Sequence, residues 1–194
     1  MIEENVLRRC GWVSADALYI NYHDTEWGTP EHDDAKLLEK LILDGAQAGL
    51  SWITILRKRD GYRRAFHGFD AERVSRYGKR DFDRLIKDEG IVRNKLKIRA
   101  AIGNAQAYLK LKDGGESFND FIWQFTGGKT LQNRRASLKE IPTSTKESEL
   151  LSKELKRAGF KFVGPTIIYA FMQAIGMVND HTLDCFRHPE CGGH

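Results

Sequence analysis

Four residues of the chain are of zinc-ligand type, and they lie at its two ends: Cys10 and His23 near the start, His181 and Cys185 near the finish. A Cys2His2 set is the donor set of a closed structural zinc site. Drawn from both ends, it would tie the termini to one ion and leave the middle of the chain free for other work. His181 and Cys185, in the run His181-Thr182-Leu183-Asp184-Cys185, stand at i and i+4, a spacing that places two side chains on one face of a helix or helical turn. Cys10 and His23 are separated by twelve residues, room for a loop to return but no recognised local metal spacing. Spacing alone therefore leaves a second reading open, in which buried thiols act as small hydrophobes and the histidines are satisfied by hydrogen bonds. Cys191 and His194, in the short tail after Pro189 that is expected to fray, are alternative ligands.

The elements that must position these residues are bounded by composition. At 194 residues and 41% hydrophobic, the chain can bury one sizeable core or two small lobes. One unit is expected, or two lobes with the termini (1–30 and 165–194) set against a helical middle (31–164). No apolar run approaches the 18 or so residues a membrane span needs, and the start, Met1-Ile2-Glu3-Glu4-Asn5, has no signal-peptide character. A soluble, cytoplasmic, monomeric protein is expected, with no membrane partner. Three cysteines without dense spacing speak against a secreted disulfide framework.

Net charge is +4, from 31 basic and 27 acidic residues, which permits a polyanionic partner without requiring one. The basic residues cluster at Arg57-Lys58-Arg59, across Arg93 to Arg99, and at Lys153-Glu154-Leu155-Lys156-Arg157 with Lys161 beyond. Any one such run is an ordinary solvated helix face, whereas three together point toward nucleic acid.

The periodicity is helical almost throughout, and the predicted fold class is all-α with little or no sheet. Asp34 is the predicted cap of a helix bearing Leu37, Leu38, Leu41, Ile42 and Ala46 and ending at Gly49; a second helix begins at Ser51. Between Arg93 and Leu111, the stripe Ile98, Ile102, Ala105 and Leu109 predicts the longest helix. Shorter ones are expected at Ala71 to Tyr77, Lys79 to Asp88, Ser117 to Phe125 and Lys146 to Ala158. Gly127-Gly128 through Thr145 reads as a polar linker.

From Leu155 to Met172 a helix breaks at Gly159, an apolar loop ends at Gly164, and Pro165 opens the next helix, where its missing N–H costs nothing. Such a helix–hairpin–helix can bring backbone N–H groups close to a phosphate. An ordinary helix–helix turn has the same pattern, and Lys161 in the loop favours DNA.

At this point whole motifs coincide. Arg9-Cys10-Gly11-Trp12-Val13, Tyr19-Ile20-Asn21-Tyr22-His23-Asp24-Thr25-Glu26-Trp27-Gly28, Gln47-Ala48-Gly49-Leu50-Ser51-Trp52, Gly159-Phe160-Lys161-Phe162-Val163-Gly164 and Val178-Asn179-Asp180-His181 occur in order. Over Arg9 to Cys185 the chain strongly resembles the DNA-3-methyladenine glycosylase I family of helix-hairpin-helix base-excision enzymes. The resemblance implies structural zinc on Cys10, His23, His181 and Cys185. It also implies release of 3-methyladenine from alkylated double-stranded DNA by simple hydrolysis, leaving an abasic site.

A base methylated at N3 is cationic, so its glycosidic bond is already weak and recognition becomes the main task. Trp52 and Tyr22 are the expected walls of the base pocket, with Trp12, Trp27 and Tyr19 close by, because aromatic faces attract cations; for Trp27 and Tyr19 core packing is an equal reading. Where the family carries a glutamate that reads the base, this chain has Asp44, one methylene shorter. Gln47, Gly49 and Leu50 are expected to wedge into the gap left by the flipped nucleotide, with Lys161 and Gly164 on phosphate. Asp180 is expected either near the reaction or orienting a zinc-bound imidazole. A zinc-stapled DNA-binding module without chemistry would not need Trp52 and Asp44, and a thiol redox protein would want exposed, low-pKa cysteines.

Overall fold

The computed structural model describes residues 7–191. Ten helices account for most of them: α1 Ala17–Thr25, α2 Asp34–Gln47, α3 Trp52–Ala65, α4 Ala71–Ser75, α5 Lys79–Leu85, α6 Lys95–Asp113, α7 Phe118–Trp123, α8 Lys146–Arg157, α9 Pro165–Ala174 and α10 Arg187–Glu190. The predicted helices are present, and the Arg93 to Leu111 stripe forms the longest of them, α6. None is long and apolar enough to cross a membrane.

Helix α2 is the hub. Its apolar face buries Leu37, Leu38, Leu41 and Leu43, and it packs against α3, α6, α7 and α9. The cap differs from the predicted one: the Asp33 carboxylate accepts from Lys36 N, as a residue just outside the first turn should. Asp34, the first helical residue, reaches across to the backbone amides of Phe118 and Asn119 at 3.2 and 2.7 Å, satisfying the open N–H groups at the start of α7. At the other end, Lys97 of α6 donates to the carbonyls of Ala46 and Ala48 at 2.8 and 2.6 Å. A cation there meets the last carbonyls of α2 and their partial negative charge.

The apolar residues form two clusters. The larger runs from Leu37 to Val178. The smaller gathers Cys10, Tyr22, Trp27, Leu56, Ala174 and Cys185, so it joins the two ends of the chain. The polar stretch predicted as a linker contains a strand, β1 (Leu131–Gln132), paired in parallel with β2 (Val178–Asn179), and the bridge continues at Arg135 and Thr182. Two residues per strand are too few to show a period-two pattern, which is why the sequence conceals them. The tail expected to fray carries Pro189 and Glu190 within α10, and the Cys191 side chain is buried; His194 lies outside the described residues.

Replacing Lys97 with Met would strip two carbonyls of their charged donor. Urea unfolding of Lys97→Met should show a loss of about 1–3 kcal/mol, with the midpoint shifted and the slope unchanged.

Candidate functional site

The ends of the chain meet at the smaller cluster. Asp16 caps α1 by accepting from Leu18 N and Tyr19 N, and this short helix carries Tyr19, Tyr22 and His23. Cys10 precedes it, and β2 leads into the turn that bears His181 and Cys185. That turn is not a helix: Cys185 N donates to Thr182 O at 2.8 Å. Cys10, His23, His181 and Cys185 are all buried, and their ligand atoms all lie within 4.8 Å of one another.

Cys10 Sγ stands 3.4 Å from His181 Nδ1, and Cys185 Sγ stands 3.4 Å from His23 Nε2 and 3.5 Å from His181 Nδ1. A tetrahedral ion with metal–sulfur bonds of about 2.3 Å and metal–nitrogen bonds of 2.0–2.1 Å has S···N edges of about 3.5 Å. The outer ring nitrogens are engaged in the sense a metal site needs. His23 Nδ1 meets Asp24 Oδ1 at 2.7 Å and His181 Nε2 meets the Trp27 carbonyl at 3.2 Å. Both act as N–H donors there, leaving the inner nitrogens as lone pairs. Arg9 fixes Asp24 in turn, from Nε at 2.9 Å and Nη2 at 2.7 Å. The hydrogen bond between the two free cysteines raises the Cys10 thiol and lowers that of Cys185. The four residues could therefore hold a tetrahedral metal ion.

Asp180 does not orient an imidazole. Its carboxylate accepts from Tyr169 Oη at 2.5 Å, Gln173 Nε2 at 2.8 Å and Asn133 Nδ2 at 2.8 Å. Arg135 Nε is 3.7 Å away, too far for a hydrogen bond but near enough for charge. Cys191 is not among the four clustered ligands.

The aromatic residues continue directly from this cluster. Trp27 packs edge-on to His181, with ring centroids 4.6 Å apart, and Trp12 packs edge-on to His23 at 5.3 Å and to Trp27 at 5.1 Å. Tyr19 lies 5.0 Å from Trp12, and Tyr22 lies 5.3 Å from Trp52. All five line one cavity of about 170 Å³ together with Asp44 and Gln47 from α2 and Ala170, Gln173 and Ala174 from α9. A larger cavity of about 400 Å³ lies beyond Tyr22, Trp52 and Ala174. It lacks Asp44, and three of its cations are already paired: Arg59 with Glu26, Arg63 with Glu39 and Lys36 with Glu31.

Asp44 is 4% exposed. Its Oδ2 and the indole Nε1 of Trp52 are buried polar atoms without a hydrogen-bond partner among the described residues. Folded proteins rarely leave such atoms unpaired, and each one asks for an explanation. Burial pushes the Asp44 carboxyl up to about 7, while Lys40, one turn earlier on α2, pulls it back toward the ionised form. The group is thus poised to ionise when a cation arrives. Burial also holds Tyr22 well above the ordinary phenol value, so its hydroxyl stays protonated.

The turn after α2 adjoins the same cavity. Leu50 N donates to Gln47 O at 2.6 Å, and Gly49 has φ 76 with nothing near a Cβ, so backbone conformation selects glycine there. Leu50 is 40% exposed. With Asp44, Gln47 and Ala48, this turn borders a groove whose far wall is Thr166, Ile167 and Ala170 at the start of α9. The loop between α8 and α9 is therefore at the same edge. Lys161 is exposed there, and its backbone N and O are bracketed by the Asn104 side chain at 2.8 and 3.1 Å. Gly164 precedes Pro165, the first residue of α9, as the sequence predicted. Elsewhere the basic runs are largely engaged: Arg57 with Asp16, Lys58 with the Glu89 carbonyl, Arg93 with Glu89, and Arg157 with Glu154.

With this geometry in view, the chain was compared with known proteins. The family model described as methyladenine glycosylase matches residues 12–188. The chain belongs to the methyladenine glycosylase family. DNA-3-methyladenine glycosylase 1 of Escherichia coli (strain K12) is 54% identical over 183 residues, covering 94% of this chain and 98% of that protein. A crystal structure of a 3-methyladenine DNA glycosylase I superimposes with a TM-score of 0.93 at 54% identity, over 94% of this chain and 100% of that one. A Tyr-to-Phe variant of a 3-methyladenine DNA glycosylase I, solved in complex with 3-methyladenine, gives a TM-score of 0.90 at 36% identity, over 93% of this chain and 97% of that one.

Two features of the site carry little signal in the sequence. Ala170, Gln173 and Ala174 supply one wall of the cavity, and their i, i+3, i+4 spacing was a usable signal, with Gln173 the polar interruption of an apolar helix. The Arg9–Asp24–His23 relay had no local signature, because it joins residues 15 apart across a loop.

Because Asp44 titrates higher in the folded chain than in the unfolded one, the unfolded state loses its proton first as pH rises. Asp44 thus costs nothing below about pH 4 and costs progressively more up to about pH 7. Asp44→Asn should be more stable than the parent at pH 8 by on the order of 1–3 kcal/mol, with the advantage vanishing at pH 4; urea melts at the two pH values measure this.

Proposed function

We propose that this chain excises 3-methyladenine from alkylated double-stranded DNA, leaving an abasic site. The single observation that carries the reading is the buried Asp44 carboxylate, with Oδ2 unpaired, sharing one cavity with five aromatic residues. A cavity with that lining suits a flat, cationic, hydrogen-bonding ring. Membership of the family, and the 3-methyladenine-bound relative, support the same reading.

On this reading the damaged nucleotide leaves the helix at a cost of a few kcal/mol, less than an intact pair would require. The base slides between Trp52 and Tyr22, with Trp12, Tyr19 and Trp27 closing the remaining sides. A desolvated cation over an indole gains about 2 kcal/mol or more. The incoming charge favours the ionised form of Asp44, its proton passes to solvent water leaving the cavity, and the carboxylate then accepts from the exocyclic amine. Bond cleavage moves the positive charge from the base to the sugar, and water from solvent completes hydrolysis. Tyr22, held protonated, remains a donor throughout.

The turn at Gln47, Gly49 and Leu50 fills the space left in the duplex, with Leu50 as the apolar wedge. The helix–hairpin–helix formed by α8 and α9 holds the backbone nearby, using Lys161 and the amides after Gly164 on phosphate. Zinc on Cys10, His23, His181 and Cys185 clamps the terminal lobe (1–30 and 165–194) against the middle (31–164); the S···N distances and the outward N–H bonds support it. Bound there, the metal supplies rigidity, with no open position for chemistry.

The test is chromatography of bases released from methylated duplex DNA. The protein should release 3-methyladenine well above an enzyme-free control, and Trp52→Ala should lower the rate by at least tenfold; no release would end the reading. Leu50→Ala should weaken binding to damaged duplex while leaving affinity for free 3-methyladenine unchanged. Elemental analysis should find one zinc per chain, and chelation should lower the melting temperature; an unchanged melt would remove the clamp.

A further inference from the structure

The second acceptor for the base is Gln173. Resting on the function proposed above, we propose that its side-chain oxygen, aimed by Asp180, receives one proton of the base's exocyclic amine and makes the site selective for a 6-amino purine.

An exocyclic amine carries two N–H donors, and burying it with one of them unpaired costs the full desolvation of that group. Asp44 can serve one. The other needs a neutral acceptor in the same cavity, and Gln47 and Gln173 are the two amides that line it. They differ in what holds them. Gln47 has no side-chain hydrogen bond among the described residues and sits where α2 gives way to the turn. The Gln173 amide is fixed, because Nε2 donates to Asp180 Oδ2 at 2.8 Å.

The orientation of that amide follows from its partner. A carboxylate ringed by the Tyr169 hydroxyl and the Asn133 amide, with the Arg135 guanidinium beside it, is an acceptor. Gln173 must turn its NH2 toward it, so the oxygen is the atom left over. No described residue donates to Gln173 Oε1. Asp180 is fully buried and held from three sides, so the amide has no low-cost flip. Asp180 is thus a positioning residue, and the network around it turns an ambivalent amide into a dedicated acceptor.

Selectivity follows. Two acceptors, Asp44 and Gln173 Oε1, face the 6-position. A 6-amino group satisfies both, while a 6-oxo group presents a lone pair to Gln173 Oε1, which has no proton to give. The penalty arises without any steric difference between the rings, in the way a site built to bond one group rejects the analogue lacking it.

The experiment is a cycle in protein and ligand. Affinities of the wild-type holoprotein and of Gln173→Met, similar in length but without the amide, are measured by tryptophan fluorescence for free 3-methyladenine and for 3-methylpurine, which lacks the amine. The wild type should prefer 3-methyladenine, and Gln173→Met should shrink that preference by roughly three- to tenfold, the worth of one net hydrogen bond. Asp180→Asn, whose amide can donate to Gln173 and reverse it, should shrink the preference similarly; a merely structural loss would weaken both ligands equally. An unchanged preference in Gln173→Met overturns the proposal. Release of 3-methyladenine from DNA by the wild type is scored separately, so intact release with an unchanged preference removes Gln173 alone and leaves the activity standing.

Discussion

The four buried ligands at the chain ends constrain everything that faces the cavity. Cys10 and His23 come from the first helix and its approach, His181 and Cys185 from the turn after β2, and the ligand-type atoms of the two pairs lie within 4.8 Å of one another. Trp12 and Trp27 lean on the two imidazoles, and the Trp27 carbonyl receives the His181 N–H. The aromatic wall is therefore an extension of the ligand cluster. A displacement of either histidine is transmitted to an indole one van der Waals contact away.

The second constraint is electrostatic. Asp44 lies late in a helix, against the dipole, and in a setting dry enough to push its carboxyl up to about 7. A buried acid with an unpaired oxygen is a liability to the isolated fold, and such a liability is what a site for a cation requires. Lys40 from the neighbouring cavity limits the cost without quenching the acid.

Helices with a long apolar stripe, such as α2 and α6, were legible because burial repeats with the helical period. That Cys10, His23, His181 and Cys185 cluster and that five aromatic residues share one cavity was legible through unusual residue types carried in recognisable strings. What stayed hidden depends on contacts between distant segments: β1 pairing with β2, Asp34 serving α7 instead of its own helix, and Asp24, not Asp180, behind an imidazole. Asp180 illustrates the difficulty. Its position beside His181 suggested a metal-supporting role, but the backbone turns it the other way, toward Tyr169 and Gln173.

Lys97 holds two carbonyls at the end of α2, immediately before Gly49 and Leu50. That anchorage makes the protruding turn a fixed spur, cantilevered from the longest helix of the molecule. On the proposed function, a spur that does not bend leaves the bending to the double helix. Stacked, well-paired steps resist such deformation and weakened ones yield, so on that reading the search for damage is delegated to the mechanical compliance of DNA itself.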